Sequence, residues 1–565
     1  MNYCSNSSSF CASKDKEMIE KTSSTIHLNR LKQLDRFFGT ESTIVDSQTL
    51  AQVMSCSTRN VAKTMKNLRE LGWIEWVPGR GRGIKTQLQV KRSFHEVLCD
   101  VIKEYVARGE LNEASRYADI FQYQTVFKQH LPDWIAELSG SKERSDELIS
   151  LVPYTLPPCH PMYMKDRNAG MYVSVLFDTL ITFDQSSKTF TPHLAHQFYK
   201  EGLTYYFRIR PDVYFHNGEL LTPEHVKASL EAHKSEGVLA HELYNCINNI
   251  RVNKQWVEIT LDYDDPIFLH AVADVHSAIF MHNASEPDYP FGTGPYYWGN
   301  RTANHWSLQK NNQYFSQHGI LRKADFWHVL RTNKTSVGHL FEVKDVDKKV
   351  DTLPGLQTSQ LGTKSLCLSH RLDSSSRSAI TRVCQQVLLS HYQDSHFLCH
   401  TLFQPAENTE YSTPTNTELK ADLPSSIKVL KQDQHIFQHL WFRFNQLGIK
   451  VDFVDDCAKA ELWINEFLVG QDEVLDRYYW MLLSASAIKL LTPFKRQQWL
   501  AEVQKSDNVE NTLIQLERRY LSQNRIVPLW KKSIAFKSHQ SLRGTDINSL
   551  GFMNLSTIWF DKRES

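Results

Sequence analysis

The amino-acid sequence predicts a multidomain protein: a small α+β domain built on a helix–turn–helix and a β-hairpin, then a larger α/β body. Three observations predict it. Positive charge gathers near one end, apolar residues there recur at helical spacing on two short segments separated by a tight turn, and strand-like and helical stretches alternate from Leu148 onward. The charge count is specific. His27 to Arg92 holds 12 Lys and Arg against 5 Asp and Glu, a net of +7, whereas the whole chain sums to +1, which leaves −6 elsewhere. A basic module on a mildly acidic body points to a polyanionic partner for the small part alone.

The chain has 565 residues, 41% hydrophobic and 22% charged. That is apolar material for more than one core, and it excludes disorder over most of the length. No stretch reaches the roughly 18 uninterrupted apolar residues of a membrane span. The nearest, Trp480 to Phe494, is broken by Ser484, Ser486 and Lys489. Met1 to Glu20 is Ser-rich and polar, unlike a secretory signal. Residues 1–26 are expected to be a disordered tail, or upstream sequence if translation begins at Met18. The 10 cysteines follow no regular spacing, which fits reduced thiols in the cytoplasm.

Residues 27–92 carry the small domain. Leu28 to Phe38 has helical periodicity, Ser47 to Met54 is a short helix, and Ser55-Cys56 makes the turn. A second helix runs from Ser57, placed as N-cap, to Leu71, with Val61, Met65, Leu68 and Leu71 as its buried stripe. Trp73 to Val77 and Lys85 to Val90 read as strands around the loop Pro78 to Gly83. This is the winged helix-turn-helix plan. Ser57, Thr58, Arg59, Asn60, Lys63, Thr64, Lys66 and Asn67 offer amide, hydroxyl and cationic groups for base edges and phosphates. Arg80 and Arg82, between glycines, and Lys85 would reach the DNA backbone or a minor groove. Such domains also bind proteins, and the Gly-Arg alternation also fits a plain flexible loop.

Residues 93–147 read as a helical connector, with a polar hinge at Ser139 to Glu147. The body spans 148–565. Within it, Leu203 to Arg210 is a strand, Asp212 to His216 its candidate partner, and Asn217-Gly218 a tight turn. Thr222 caps a helix with Pro223 at its first position.

The run Pro192 to Ala195, Leu203 to Arg210, Val213 to Gly218 and Leu221 to Ser229, followed by Phe291-Gly-Thr-Gly-Pro-Tyr296 and Asn311 to Phe315, resembles the family 5 solute-binding proteins. Leu447 to Val451 and Val527 to Leu529 resemble later landmarks of that family, although Asn217 stands where an Asp is usual. This likeness implies a two-lobed periplasmic-binding-protein-like fold of the peptide and nickel receptor class, with lobe I over about 148–330 plus 490–565 and lobe II over about 331–489. Asn29 to Leu34 and Ser57 to Lys85, with Gly72-Trp-Ile-Glu-Trp76 and Gly79-Arg-Gly-Arg-Gly83, resemble the reader of the SgrR family of transcriptional regulators. That resemblance implies a cytoplasmic activator that binds promoter double-stranded DNA and senses a small metabolite. It further implies contact with RNA polymerase, and a setting of sugar-phosphate stress with control of a small RNA and transport genes.

Hinge closure of the lobes would bury a small-molecule ligand, a sugar phosphate or a peptide. The aromatics Tyr172, Phe177, Trp298, Trp327, Trp463 and Trp480 are candidate walls, each competing with a plain core role. A phosphorylated ligand would also need Arg, Lys or helix N-termini, which the sequence does not place. Gly292-Thr-Gly294 lacks the Lys-Ser/Thr of a phosphate loop and reads as a structural turn. Cys367, His370, Cys384, His391, His396, Cys399 and His400 lack the paired spacing of a zinc site. Cys159-His160 has no third group to support a nucleophile, so neither catalysis, a cofactor nor a metal is expected. A cytosolic solute-binding or ABC-transport accessory protein, whose basic module binds protein rather than DNA, stays as the alternative.

Overall fold

The computed structural model describes residues 25–79, 86–108, 110–131, 134, 146–152, 154–164, 167–235, 238, 241–328, 340–343, 356–391, 401–403, 422–468, 470, 472–538, 541–545 and 554–561. The chain divides into two compact units, 1–140 with 329–338, and 141–328 with 339–565.

In the first unit, α1 (Thr25–Phe38) places Leu28, Leu31 and Leu34 in the core, as their spacing predicts. A strand the sequence reading missed, β1 (Thr43–Val45), follows. Next come α2 (Ser47–Val53) and α3 (Thr58–Glu70). Asp46 caps α2, its carboxylate accepting from the Gln48 and Thr49 backbone N–H groups at 2.9 and 2.8 Å. Ser55 turns the chain at φ 48°, and Gly72 ends α3 at φ 72°, the left-handed region a glycine enters at no steric cost. The wing is β2 (Ile74–Val77) against β3 (Thr86–Val90), and β1 pairs with the far edge of β3 to give the sheet order β1-β3-β2. Beyond it, α4 (Phe94–Ala107) begins with a complete capping box of Ser93 and Glu96, and α5 (Leu111–Ile120) packs against it through stacked Tyr105 and Tyr117.

The second unit is organised by a mixed ten-stranded sheet. In chain order its strands are β4 (Glu147–Val152), β11 (Tyr296–Arg301), β12 (His305–Lys310), β13 (Lys323–His328), β14 (Leu340–Val343), β15 (Leu356–Leu368), β16 (Ser426–Leu430), β17 (Lys450–Val454), β18 (Leu462–Leu468) and β19 (Ile526–Ser538). Their spatial order is β11-β12-β13-β4-β14-β19-β15-β18-β16-β17. The first strand of the unit is thus central, parallel to both β13 and β14. A four-stranded antiparallel sheet, β7-β8-β10-β9, joins β7 (Ala195–Glu201), β8 (Thr204–Ile209), β9 (Ile247–Asn253) and β10 (Trp256–Leu261). A hairpin pairs β5 (Ile181–Asp184) with β6 (Thr189–Pro192).

Between these strands lie α6 (Arg167–Leu176), α7 (Pro223–His233) and α8 (Phe268–Ala273). Thr222 caps α7 in a complete box with His225, and Pro223 opens it. Asp212–His216 does not pair with β8. The β8 edges are taken by β7 and β10, and Tyr214 instead bridges Leu220 across the Asn217-Gly218 turn. Further on come α9 (Ser374–His391), α10 (Gln438–Gln446), α11 (Glu473–Tyr478), α12 (Ala485–Leu490), α13 (Pro493–Gln504) and α14 (Val509–Ser522).

Two hydrophobic cores result. One packs Leu366, Ile380, Phe437, Phe444 and Leu462. The other runs from Leu148 through Phe207, Trp306 and Trp499 to Phe560. Trp463, Leu475 and Met481 also belong to this larger core.

Candidate DNA interface and ligand cavity

On α3 the buried stripe is Val61, Met65 and Leu68. That orientation leaves Thr58, Arg59, Asn60, Lys63 and Lys66 exposed, and Thr64 and Asn67 half-buried. Arg59, Lys63 and Lys66 follow at steps of four and three, so their cationic ends share one face. Lys66 is 3.8 Å from Glu70, an exposed pair that leaves the amine free to exchange partners. Asn67 reaches back, its Nδ2 3.3 Å from His27 Nε2, so it ties α3 to α1 rather than facing outward. Ser57 occupies the N-cap position but its hydroxyl makes no capping bond.

Arg30 braces the turn by donating to the Met54 carbonyl, and Asp35 ties α1 to the start of α4, accepting from the Phe94 N–H at 2.8 Å. Arg80, Arg82 and Lys85 of the wing tip lie outside the described residues.

In the second unit a cavity of about 390 Å³ opens among α6, the β5–β6 hairpin, α8 and the segment leading into α11. Its polar lining is acidic and imidazole-bearing: Asp178, Asp274, Asp472 and Asp476, with His193, His270 and His276. The groups are paired. His193 Nε2 lies 2.7 Å from Asp178, His270 Nδ1 2.5 Å from Asp472, and His276 Nδ1 2.6 Å from Asp274. Asp178 is held from further sides by hydroxyl donors, Thr293 at 2.7 Å and Tyr314 at 3.0 Å.

Burial raises the Asp274 carboxyl, yet its neighbour His276 outweighs that and keeps it below the ordinary value. Burial likewise disfavours the charged His276 ring, and Asp274 more than compensates, so this histidine is raised. Asp476 differs. Its burial, reinforced by Asp274, Asp472 and Glu473, pushes its carboxyl well above the usual range, and the Gly470 N–H it accepts offsets only part of that. No Lys or Arg lines the cavity among the described residues.

Of the candidate aromatic walls, only Phe177 lines this cavity. Tyr172 is fully buried against Trp306 and Phe326. Trp327 is buried and stacks on His305 at 4.0 Å, and Trp463 is buried with its Nε1–H donating to Ser486. Trp298 stands edge-on to Tyr289, and Trp480 donates to the Leu468 carbonyl. These rings fill packing space. The turn Gly292-Thr-Gly294 backs the cavity as a structural element. A Cβ on Gly292 would sit 2.0 Å from the Leu176 carbonyl oxygen, and Gly294 N–H donates to that same oxygen at 3.0 Å. Elsewhere, Cys367 and Cys384 are buried and His370 Nδ1 faces the Lys489 carbonyl, while His396, Cys399 and His400 lie outside the described residues.

Known proteins share both parts. Residues 28–135 match the family model for the N-terminal domain of sugar transport-related sRNA regulators, SgrR, and residues 189–359 match the middle part of bacterial extracellular solute-binding proteins, family 5. The uncharacterized protein YhjP of Bacillus subtilis is 26% identical over 290 residues, 49% of this chain, and the match spans only about half (50%) of YhjP itself. The HTH-type transcriptional regulator SgrR of Yersinia pseudotuberculosis is 21% identical over 562 residues, covering 94% of this chain and 97% of that protein. Among solved structures, the periplasmic binding protein DppA of Helicobacter pylori, in complex with the peptide STSA, superposes with a TM-score of 0.59 at 14% identity, covering 74% of this chain and 98% of DppA. At that identity the likeness establishes the fold. No helix among the described residues is long and apolar enough to cross a membrane. In chain order, an N-terminal domain that matches the SgrR-type family model precedes a body with the family 5 solute-binding-protein fold.

Proposed function

We propose that the chain is a cytoplasmic, DNA-binding transcriptional regulator whose solute-binding body senses a small molecule. The observation that carries the DNA half is α3. It is the second helix of a helix–turn–helix, and its buried stripe leaves Arg59, Lys63 and Lys66 on one exposed face. The full-length relation to an HTH-type regulator supports the same reading.

The cavity refines the ligand half. Asp178, Asp274 and Asp472, each paired with an imidazole, together with Asp476 and with no Lys or Arg among the described lining residues, suit a donor-rich ligand. A phosphate would bring negative charge beside Asp178, Asp274 and Asp472 with no Lys or Arg to receive it, and the cationic form of His276 is already engaged by Asp274. The ligand this lining suits is an amine or the amino terminus of a short peptide, rather than a sugar phosphate. Activation of transcription through polymerase contact fits the family resemblance and adds no requirement to the cavity.

The test is fluorescence anisotropy of the full chain on duplexes from its own upstream region, at two salt concentrations, with and without short peptides, amines and sugar phosphates. Expected are salt-dependent binding and a shift with an amine-bearing ligand. Absence of binding to every duplex at both salts would overturn the regulator reading. A shift with sugar phosphates alone would overturn the ligand class.

A further inference from the structure

Cys457 is the exposed cysteine among the described residues; Cys56 and Cys99 are half-buried and Cys159, Cys246, Cys367 and Cys384 are buried. It is not solitary. The Lys489 ammonium nitrogen lies 2.5 Å from its sulfur, and the same nitrogen sits 4.3 Å from the centroid of the Trp463 ring. Both ends are held. Cys457 sits in a turn whose Ala458 N–H donates to Asp456 at 2.8 Å, and Lys489 is on α12, its backbone carbonyl engaged by His370. The Trp463 indole that carries the lysine is itself pinned to Ser486 at 3.1 Å. Among the described residues the amine's side-chain polar partner is this thiol, and no carboxylate forms an ion pair with it. An N–O–S bridge needs this arrangement: an amine already at the sulfur, and a sulfur open to oxidant.

We propose that Cys457 and Lys489 form an oxidative modification site, closed by hydrogen peroxide into a covalent Lys–N–O–S–Cys link. In the first step the Cys457 sulfur attacks one peroxide oxygen. An S–O bond forms, the O–O bond breaks, and the thiol proton leaves with the departing oxygen as water, so sulfur is oxidised by two electrons to the sulfenic acid. Lys489 then gives one ammonium proton to solvent. A second peroxide oxidises the amine by two electrons to the hydroxylamine, with release of water, and the hydroxylamine condenses with the sulfenic acid to give N–O–S and a further water. In sum, one thiol, one neutral amine and two peroxides give the link and three waters.

The link would tie together residues 32 apart in the chain. The loop so closed holds β18 and the cavity-lining Gly470, Asp472 and Asp476. Oxidation would therefore clamp one wall of the candidate ligand cavity, whatever that cavity binds. The bridge chemistry itself does not rest on the proposed ligand or on DNA binding.

The experiment treats the full chain with hydrogen peroxide, removes the excess with catalase, and maps tryptic peptides by mass spectrometry. The expected product joins the Cys457 and Lys489 peptides with a gain of one oxygen and a loss of two hydrogens. It should show loss of tryptic cleavage at Lys489 and reversal by dithiothreitol. Cys457→Ser should abolish it. Lys489→Arg should abolish the link while leaving a dimedone-reactive sulfenic acid at Cys457, which shows that the thiol is still oxidisable, and an unchanged thermal unfolding midpoint shows that the variant is folded. Peroxide that leaves Cys457 as sulfenic or sulfinic acid with Lys489 still cleaved, or that modifies other cysteines first, would overturn the proposal.

Discussion

Asp476 is the residue whose chemistry is most directly testable. Its carboxyl is raised, chiefly by burial, above the value it has in an unfolded chain. A carboxyl with a raised folded value favours the folded state at low pH, and that advantage is lost as pH climbs from the unfolded value, near 3.9, through the folded one. Asp476→Asn should therefore gain stability relative to the wild type as pH rises through that window. Urea unfolding of both proteins across the acidic to neutral range reads it, and a pH-independent difference would contradict a raised Asp476 carboxyl. The same group predicts that an amine entering the cavity draws a proton off it. Titration calorimetry in two buffers of different ionisation enthalpy should then show net proton release, and Asp476→Asn should reduce it.

Gly292 makes a second residue-scale prediction. Gly292→Ala places a methyl 2.0 Å from the Leu176 carbonyl oxygen, where backbone rather than a flexible side chain must move. A loss of about 1–3 kcal/mol in urea unfolding is expected for such overpacking. An unchanged midpoint would show that the turn and α6 can separate.

At the scale of elements, α3 has two faces with two different signatures. Leu68 is fully buried, so Leu68→Ala should cost about 2–5 kcal/mol of the unit's stability. Lys63→Ala, on the exposed face, should leave thermal unfolding unchanged while reducing the salt slope of DNA binding by about 0.9. Equal slopes in the two proteins would show that Lys63 meets no phosphate.

Elements also show what was legible in the sequence. The stripe of α3 and the Thr222-Pro223 start of α7 were readable because periodicity and capping are local. The strand β1 was not, since three residues are too few to show alternation, and its partner residues in β3 come some 40 positions later, Thr43 opposite Leu88. The cavity was illegible for the same reason on a larger scale. His270 and Asp472 meet across 202 positions of chain. Of the aromatics offered as walls, Phe177 alone lines the candidate cavity, because large rings mostly go where they exclude most water, into the core.

For the whole molecule, the proposed coupling is a thermodynamic claim. If ligand changes DNA affinity by some factor, DNA must change ligand affinity by the same factor. Calorimetric ligand titrations of the full chain, alone and saturated with duplex, should differ by the ratio that anisotropy gives for DNA with and without ligand. A ligand shift that DNA does not reciprocate would show that the two measurements do not report one equilibrium.

The larger core of the body has an implication for how the protein comes into being. It unites Leu148 with Phe560, and the early strand β4 lies at the centre of the ten-stranded sheet. During synthesis residues 1–140 leave the ribosome first, ahead of residues 329–338 of the same unit, while the body waits, for tens of seconds, for strands not yet made. A prematurely terminated chain thus keeps the N-terminal unit and loses the body. Any nonsense mutation in the last third of the gene should yield, on the proposed function, not silence but a DNA-binding fragment deaf to its signal, trailing an unfolded body for the cell's proteases to clear.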